Sequence, residues 1–167
     1  IYSAKVSYES CTIESNQIEV IVKPVTADFS EKVRVNSTDL ISHFSCDIND
    51  NYDLSGKGNS YYYSGWSYPE DRSGEWNSCH YYNGNWDYTN TVLSFDDPDV
   101  FTITLWFKTN TTSGGRLIGM GDQQWGLSTE SDRMIWMSDD GKLHFGVYNG
   151  SANTISSTES YNDNHWH

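Results

Sequence analysis

A period of two constrains this chain more than any other feature. Phe101, Ile103, Leu105 and Phe107 alternate with Thr102, Thr104, Trp106 and Lys108. That spacing sets one face of an extended strand against a core and turns the other outward. Leu143, Phe145 and Val147 alternate with His144, Gly146 and Tyr148 in the same way, and Met134-Ile135-Trp136-Met137 precedes them. Between these runs lies Asp140-Gly141, and Asn149-Gly150 follows before Thr154-Ile155-Ser156. Both dipeptides supply the positive φ that a tight hairpin needs. The pattern predicts an antiparallel meander in an all-β fold.

A chain of 167 residues holds one domain with a sizeable core plus a small addition. Residues 1–38 read apart from 39–167. Their strand-like runs, Gln17 to Val22 and Lys32 to Val35, suit either an N-terminal β extension or the end of a preceding Ig-like domain. Net charge is −13, so phosphates are repelled and nucleic acid is excluded as a partner. Divalent cations or basic partners fit that charge better. No apolar run reaches the length of a membrane-spanning helix. Aromatic residues make up 15% of the chain, with 7 Trp and 12 Tyr, so rings replace much of the usual aliphatic bulk.

Several short blocks follow one another in a telling order: LISHFSCDIN, DLSGKGN, VLSFDDPDVF, FTITLWFKT, GGRLIGMGD, SDRMIWMSDDGKLHFGVY and TISSTESYNDNHWH. Over roughly residues 40–167 the chain resembles the N-terminal part of a laminin-G-like domain, one of the concanavalin A-like lectin/glucanase jelly rolls of secreted and cell-surface proteins. The resemblance implies an antiparallel β-sandwich jelly roll whose closing strands have no counterpart here, as expected of a fragment. It also implies a non-catalytic, extracellular or cell-surface recognition module that binds a glycan or protein. The alternative is a structural subunit of a surface filament, pilus or layer, self-associating through its strands. A glycoside hydrolase relative comes last. Those enzymes set their carboxylates along one strand as E-x-D-x-E, whereas here Glu130-Ser131-Asp132 is followed by Met134 where the second glutamate belongs.

Candidate site residues fall in three groups. Asp47, Asn49, Asn51 and Asp53 alternate carboxylate and amide oxygens, a supply that suits calcium. The resemblance points to Asp53 and Asn59, with Asp47, as ligands; a solvated polar turn is the competing reading. The acidic turn Asp96-Asp97-Pro98-Asp99 offers a weaker cation site. Residues 57–91 are rich in rings, and Trp66, Trp86, Tyr62 and Tyr82 are the candidates for a binding platform. Against that stands an ordinary role as core that covers the sheet edge. His165 and His167 alternate like metal ligands, but no third ligand lies near them in sequence, so a structural role is expected. The sequons at Asn36, Asn110 and Asn149 and the resemblance together favour an oxidising setting. There Cys46 and Cys79 are expected to pair, closing a loop worth roughly 3–4 kcal/mol. Cys11 is then left over. The alternative is that all three are reduced.

Overall fold

The computed structural model describes residues 5–8, 11–14, 40–49, 52–94, 98–126 and 128–167. The predicted strands at 17–22 and 32–35, the Asn36 sequon, Asp50, Asn51, Asp96 and Asp97 lie outside the described residues. The chain divides into two compact units, residues 1–37 and 38–167. In the first, β1 (Lys5–Tyr8) pairs antiparallel with β2 (Cys11–Glu14), with Tyr8 opposite Cys11.

The second unit carries two antiparallel sheets and, among the described residues, no helix. The architecture is all-β and consistent with a β-sandwich. One sheet is a short pair, β3 (Tyr61–Tyr63) against β4 (Thr89–Thr91). The other is a four-stranded meander, β5 (Gly115–Gly121), β6 (Ser131–Met137), β7 (Lys142–Tyr148) and β8 (Ala152–Ser160), in sequence order. Its turns stand where Asp-Gly and Asn-Gly place them. Gly141 has φ 83° and donates its N–H to Ser138 O at 2.9 Å, and Gly150 has φ 94°. Only glycine adopts such values without strain. Gly146 has another reason to lack a side chain: a Cβ there would sit 3.0 Å from the Trp136 ring and 3.1 Å from Thr154.

The alternating run at 101–107 keeps its pattern in burial, odd residues half-buried and even ones exposed. It does not form a ladder along its length. Its strand-type contact is the bridge Lys108↔Trp166, flanked by reciprocal Phe107–His167 backbone hydrogen bonds of 3.0 and 2.9 Å. Residues 40–46 behave likewise: they alternate in burial but are held by loop contacts such as Leu54 N–H to His43 O at 2.8 Å. Alternation marks a half-buried extended chain, but a strand also needs a neighbour to hydrogen-bond. Among the described residues neither segment has one along its whole length.

In sequence Val92-Leu93-Ser94-Phe95 reads as a strand, with Phe95 outside the described residues; the ladder lies just before it, where Thr89, Asn90 and Thr91 pair with Tyr61–Tyr63, and Val92 and Leu93 are exposed. Buried apolar side chains in the described residues are few, Met137 and Tyr61. Polar groups share the interior. Arg133, 7% exposed, donates Nε–H to Pro98 O at 2.8 Å, pairs with Asp132 and lies 5.5 Å from the Phe101 ring centre. It pins the start of the 101–107 segment to the meander.

Candidate functional site

Asp53 is the anchor of the loop that leads into β3. Its Oδ1 accepts the N–H groups of His43 and Ser55, each at 2.9 Å. Its Oδ2 accepts the Ser55 hydroxyl at 2.6 Å and the Asn59 N–H at 3.0 Å. Burial raises the acid, but these four donors outweigh it and hold the carboxyl down at about 2. Asn59, 1% exposed, donates to Ser42 Oγ at 2.5 Å and accepts Leu93 N–H at 3.2 Å. Asp47 accepts Asn49 N–H at 2.9 Å and the Ser78 hydroxyl at 3.4 Å. A carboxylate has about four lone-pair positions, and those of Asp53 are all in use. As arranged, the Asp53 oxygens face N–H and O–H groups, and their work is to shape the loop.

The ring-rich block separates into an inner and an outer set. At the centre of the inner set is His80, stacked on Tyr63 with ring centres 3.9 Å apart and an interplanar angle of 5°. Tyr61, Tyr68 and Tyr82 meet it edge-on at 5.1, 5.6 and 6.2 Å. Its Nε2 lies 3.3 Å from the Tyr61 hydroxyl, and its Nδ1 lies 3.3 Å from both Tyr82 Oη and Thr89 Oγ1. Burial holds this imidazole down at about 4, so it is neutral at pH 7. The Tyr82 hydroxyl is bonded to Thr89 Oγ1 at 2.6 Å. Tyr82 therefore belongs to this ring cluster, although it is 48% exposed.

The outer set faces water. Trp66 is 95% exposed and Trp86 is 74% exposed. Their exposure is built into the loop rather than the product of a loose tip. Ser64 donates its hydroxyl to Trp86 O at 3.3 Å and its N–H to Tyr88 O at 3.0 Å, and receives Tyr88 N–H at 2.8 Å. The Tyr63 hydroxyl accepts Tyr81 N–H at 3.1 Å, and Tyr81 N–H also reaches Ser67 O at 3.1 Å. Segments 63–67 and 81–88 are thereby held side by side with a tryptophan on each. Trp86 itself has φ 68°, a left-handed conformation unusual for a large residue. Tyr62 stands apart from the pair, packed edge-on against Trp125 at 5.4 Å.

Cys46 and Cys79 are half-buried free thiols. Burial, with Cys79 beside it, pushes the Cys46 thiol up to about 11. Of the pair weighed for glycoside hydrolysis, Asp132 accepts Tyr148 N–H at 2.6 Å and pairs with Arg133. Burial raises this acid and those donors more than reverse the effect, leaving it below its ordinary range. A carboxylate held ionised in this way is a poor proton donor. His165 and His167 both approach Asp163 Oδ1, at 3.4 and 2.9 Å, and the His167 contact leads in holding that acid at about 2.

One polar row was missed. Register places Trp136, His144 and Ser156 side by side across β6, β7 and β8. Trp136 stacks on His144 with centres 5.0 Å apart. Ser138 gives its proton to Asp140 at 2.5 Å, so His144 Nε2 must donate to Ser138 Oγ at 2.9 Å. His144 Nδ1 lies 2.7 Å from the Ser156 hydroxyl. His144 and Ser156, with Ser138, Asp140, Lys142 and Ser157, line a shallow open depression. Counting outward from Asp140-Gly141 and Asn149-Gly150 would have found the row. Among the described residues no group of three His, Cys, Asp or Glu is placed to hold a metal ion, and no helix is long and apolar enough to cross a membrane. No protein-family model matches the chain, and no match was found among curated proteins or solved structures.

Proposed function

We propose that residues 39–167 form a non-catalytic recognition module of the laminin-G-like, concanavalin A-like jelly-roll type. It acts outside the cell or at its surface and binds a glycan through the loop platform of Trp66 and Trp86. One observation carries this reading: two tryptophans, 95% and 74% exposed, stand on adjoining segments that Ser64 ties together. Large rings in water gain free energy when covered, and an indole face suits the C–H face of a pyranose ring. A held backbone also lowers the ordering entropy that binding must overcome. Of the two acids nearest a glycosidase pattern, Asp132 is otherwise engaged, paired with Arg133.

Titrating the chain with a panel of oligosaccharides while following tryptophan fluorescence tests the reading. A saturable change is expected with at least one glycan, and Trp66→Ala and Trp86→Ala should each weaken it about tenfold or more. A flat response across the panel would defeat it. Concentration-dependent self-association in place of a sugar response would favour the structural subunit of a surface assembly.

A further inference from the structure

We propose that Cys46 and Cys79 are a disulfide site that clamps the Asp53 loop to the tyrosine–histidine cluster. The argument is one of register. Ile48 donates its N–H to Asn77 O at 2.8 Å, and Ser78 Oγ reaches the Asp47 carboxylate at 3.4 Å. Residue 48 thus stands opposite 77, and 47 opposite 78, as two segments running in opposite directions. The next pair outward is Cys46 and Cys79. These segments are loops rather than strands, with Cys46 at φ 63°; the spacing of opposed residues in paired strands, about 4.5–5.5 Å between Cα atoms, serves as the guide, and a disulfide spans about 4.4–6.8 Å.

The surroundings agree. Both thiols are half-buried, and among the described residues they are the two free cysteines. Cys79 Sγ rests 3.3 Å from Glu70 O, a weak hydrogen bond that rotation of the side chain would give up. The 46–48 side leads into the loop shaped by Asp53, and the 77–79 side leads directly into His80. A bond here would close the inner ring cluster covalently and steady the segments that carry Trp66 and Trp86. The two thiols lose two protons and two electrons as the S–S bond forms. A small-molecule disulfide such as oxidised glutathione takes up both and leaves as two thiols, through a mixed-disulfide intermediate.

The full chain has three cysteines, which makes the test a count. The protein is equilibrated with oxidised glutathione, quenched in acid, unfolded, alkylated with iodoacetamide and weighed intact, then mapped as peptides. One alkylated thiol before reduction and three after are expected, with a linked peptide joining Cys46 to Cys79. Reduction should lower the melting temperature by on the order of 10 °C. Cys46→Ser, Cys79→Ser and the double variant should share that lower value and lose their response to reductant. Three alkylated thiols after oxidation, glutathione retained on Cys46 and Cys79, or a link that uses Cys11 would overturn the proposal. The count on the unaltered chain decides the matter even if a variant fails to fold. It is also independent of saccharide binding, so the two readings fail separately.

Discussion

Residues 115–160 and residues 40–94 hold their shapes by different means. In the meander, β6 meets β7 and β7 meets β8 through runs of paired residues, and glycines at 141 and 150 close the turns. The side chains have only to choose a face. In the loop block the paired backbone is three residues long, Tyr61–Tyr63 against Thr89–Thr91. Most of the rest is organised by side chains that bind backbone groups far away in sequence: Asp53 to residues 43, 55 and 59, Asn59 to Leu93, Ser64 to Tyr88, and Tyr63 to Tyr81. A backbone ladder distributes its stability over many similar bonds. A hub concentrates it, so single substitutions should do more damage in the loop block than in the sheet.

Asp53→Ala is the largest expected effect. It takes the acceptor from three backbone N–H groups, those of His43, Ser55 and Asn59, and leaves the Ser55 hydroxyl with Ile41 O at 3.2 Å. At about 1–3 kcal/mol per unsatisfied buried group, partly relieved by water, the loss should be on the order of 3–5 kcal/mol in urea unfolding. Glu159→Ala, on the exposed face of β8, should stay within about 0.5 kcal/mol. If the two variants unfold alike, the contrast between hub and ladder is wrong.

Acid sharpens the same contrast, and its sign follows from two groups. The His80 imidazole titrates at about 4 in the folded chain, below its ordinary value near 6.5. The unfolded chain therefore takes up the proton first, and the stability His80 contributes is present above about pH 6.5 and lost as pH falls toward 4. Asp53 sits at about 2, below its ordinary value near 4. Its contribution is present above about pH 4 and lost between there and about pH 2. Stability measured against pH should fall in two steps, each on the order of 2 kcal/mol. His80→Phe should remove the upper step alone, and Asp53→Asn should reduce the lower, to which Asp132 and Asp163 also contribute. Retention of the upper step in His80→Phe would show that another group sets it.

In the sheet, the most sensitive position should be Gly146. A valine there must displace Trp136 or Thr154, at about 1–3 kcal/mol by analogy with overpacked cores. It should also disturb the Trp136–His144 stack, which near-ultraviolet circular dichroism would register as loss of the tryptophan band. A neutral outcome would mean that the sheet yields where the loop block does not.

The meander was legible because Asp-Gly and Asn-Gly mark its turns and the apolar residues of β7, Leu143, Phe145 and Val147, keep one parity. The loop block was not. Tyr61-Tyr62-Tyr63 has no alternation of polarity, so β3 gave no signal, and neither did its partner Thr89–Thr91, three polar residues inside the ring-rich stretch. His80 gathers Tyr61, Tyr63, Tyr68 and Tyr82 from both sides of a long loop, and no local window contains them. Asp53 was recognised as important, but carboxylate oxygens look the same in a sequence whether they meet a cation or a backbone N–H. Trp66 and Tyr82 likewise read alike in sequence, whereas Trp66 stands almost wholly in water and Tyr82 packs against His80.

The smallest expected effect on stability falls where the largest effect on binding is proposed. Trp66, with almost all of its surface in water, loses little packing when truncated, so Trp66→Ala should change unfolding free energy by no more than about 0.5 kcal/mol. Trp86 is somewhat less exposed and carries the carbonyl that Ser64 binds, but that carbonyl survives the substitution. A residue of left-handed φ also gains nothing from a large side chain. Trp86→Ala should therefore be similarly mild, whereas Ser64→Ala, which removes the tie, should cost about 1–2 kcal/mol. Urea unfolding of the three variants checks the order. If Trp66→Ala proves as damaging as Ser64→Ala, the tryptophan is part of the core, and the platform has to be sought elsewhere.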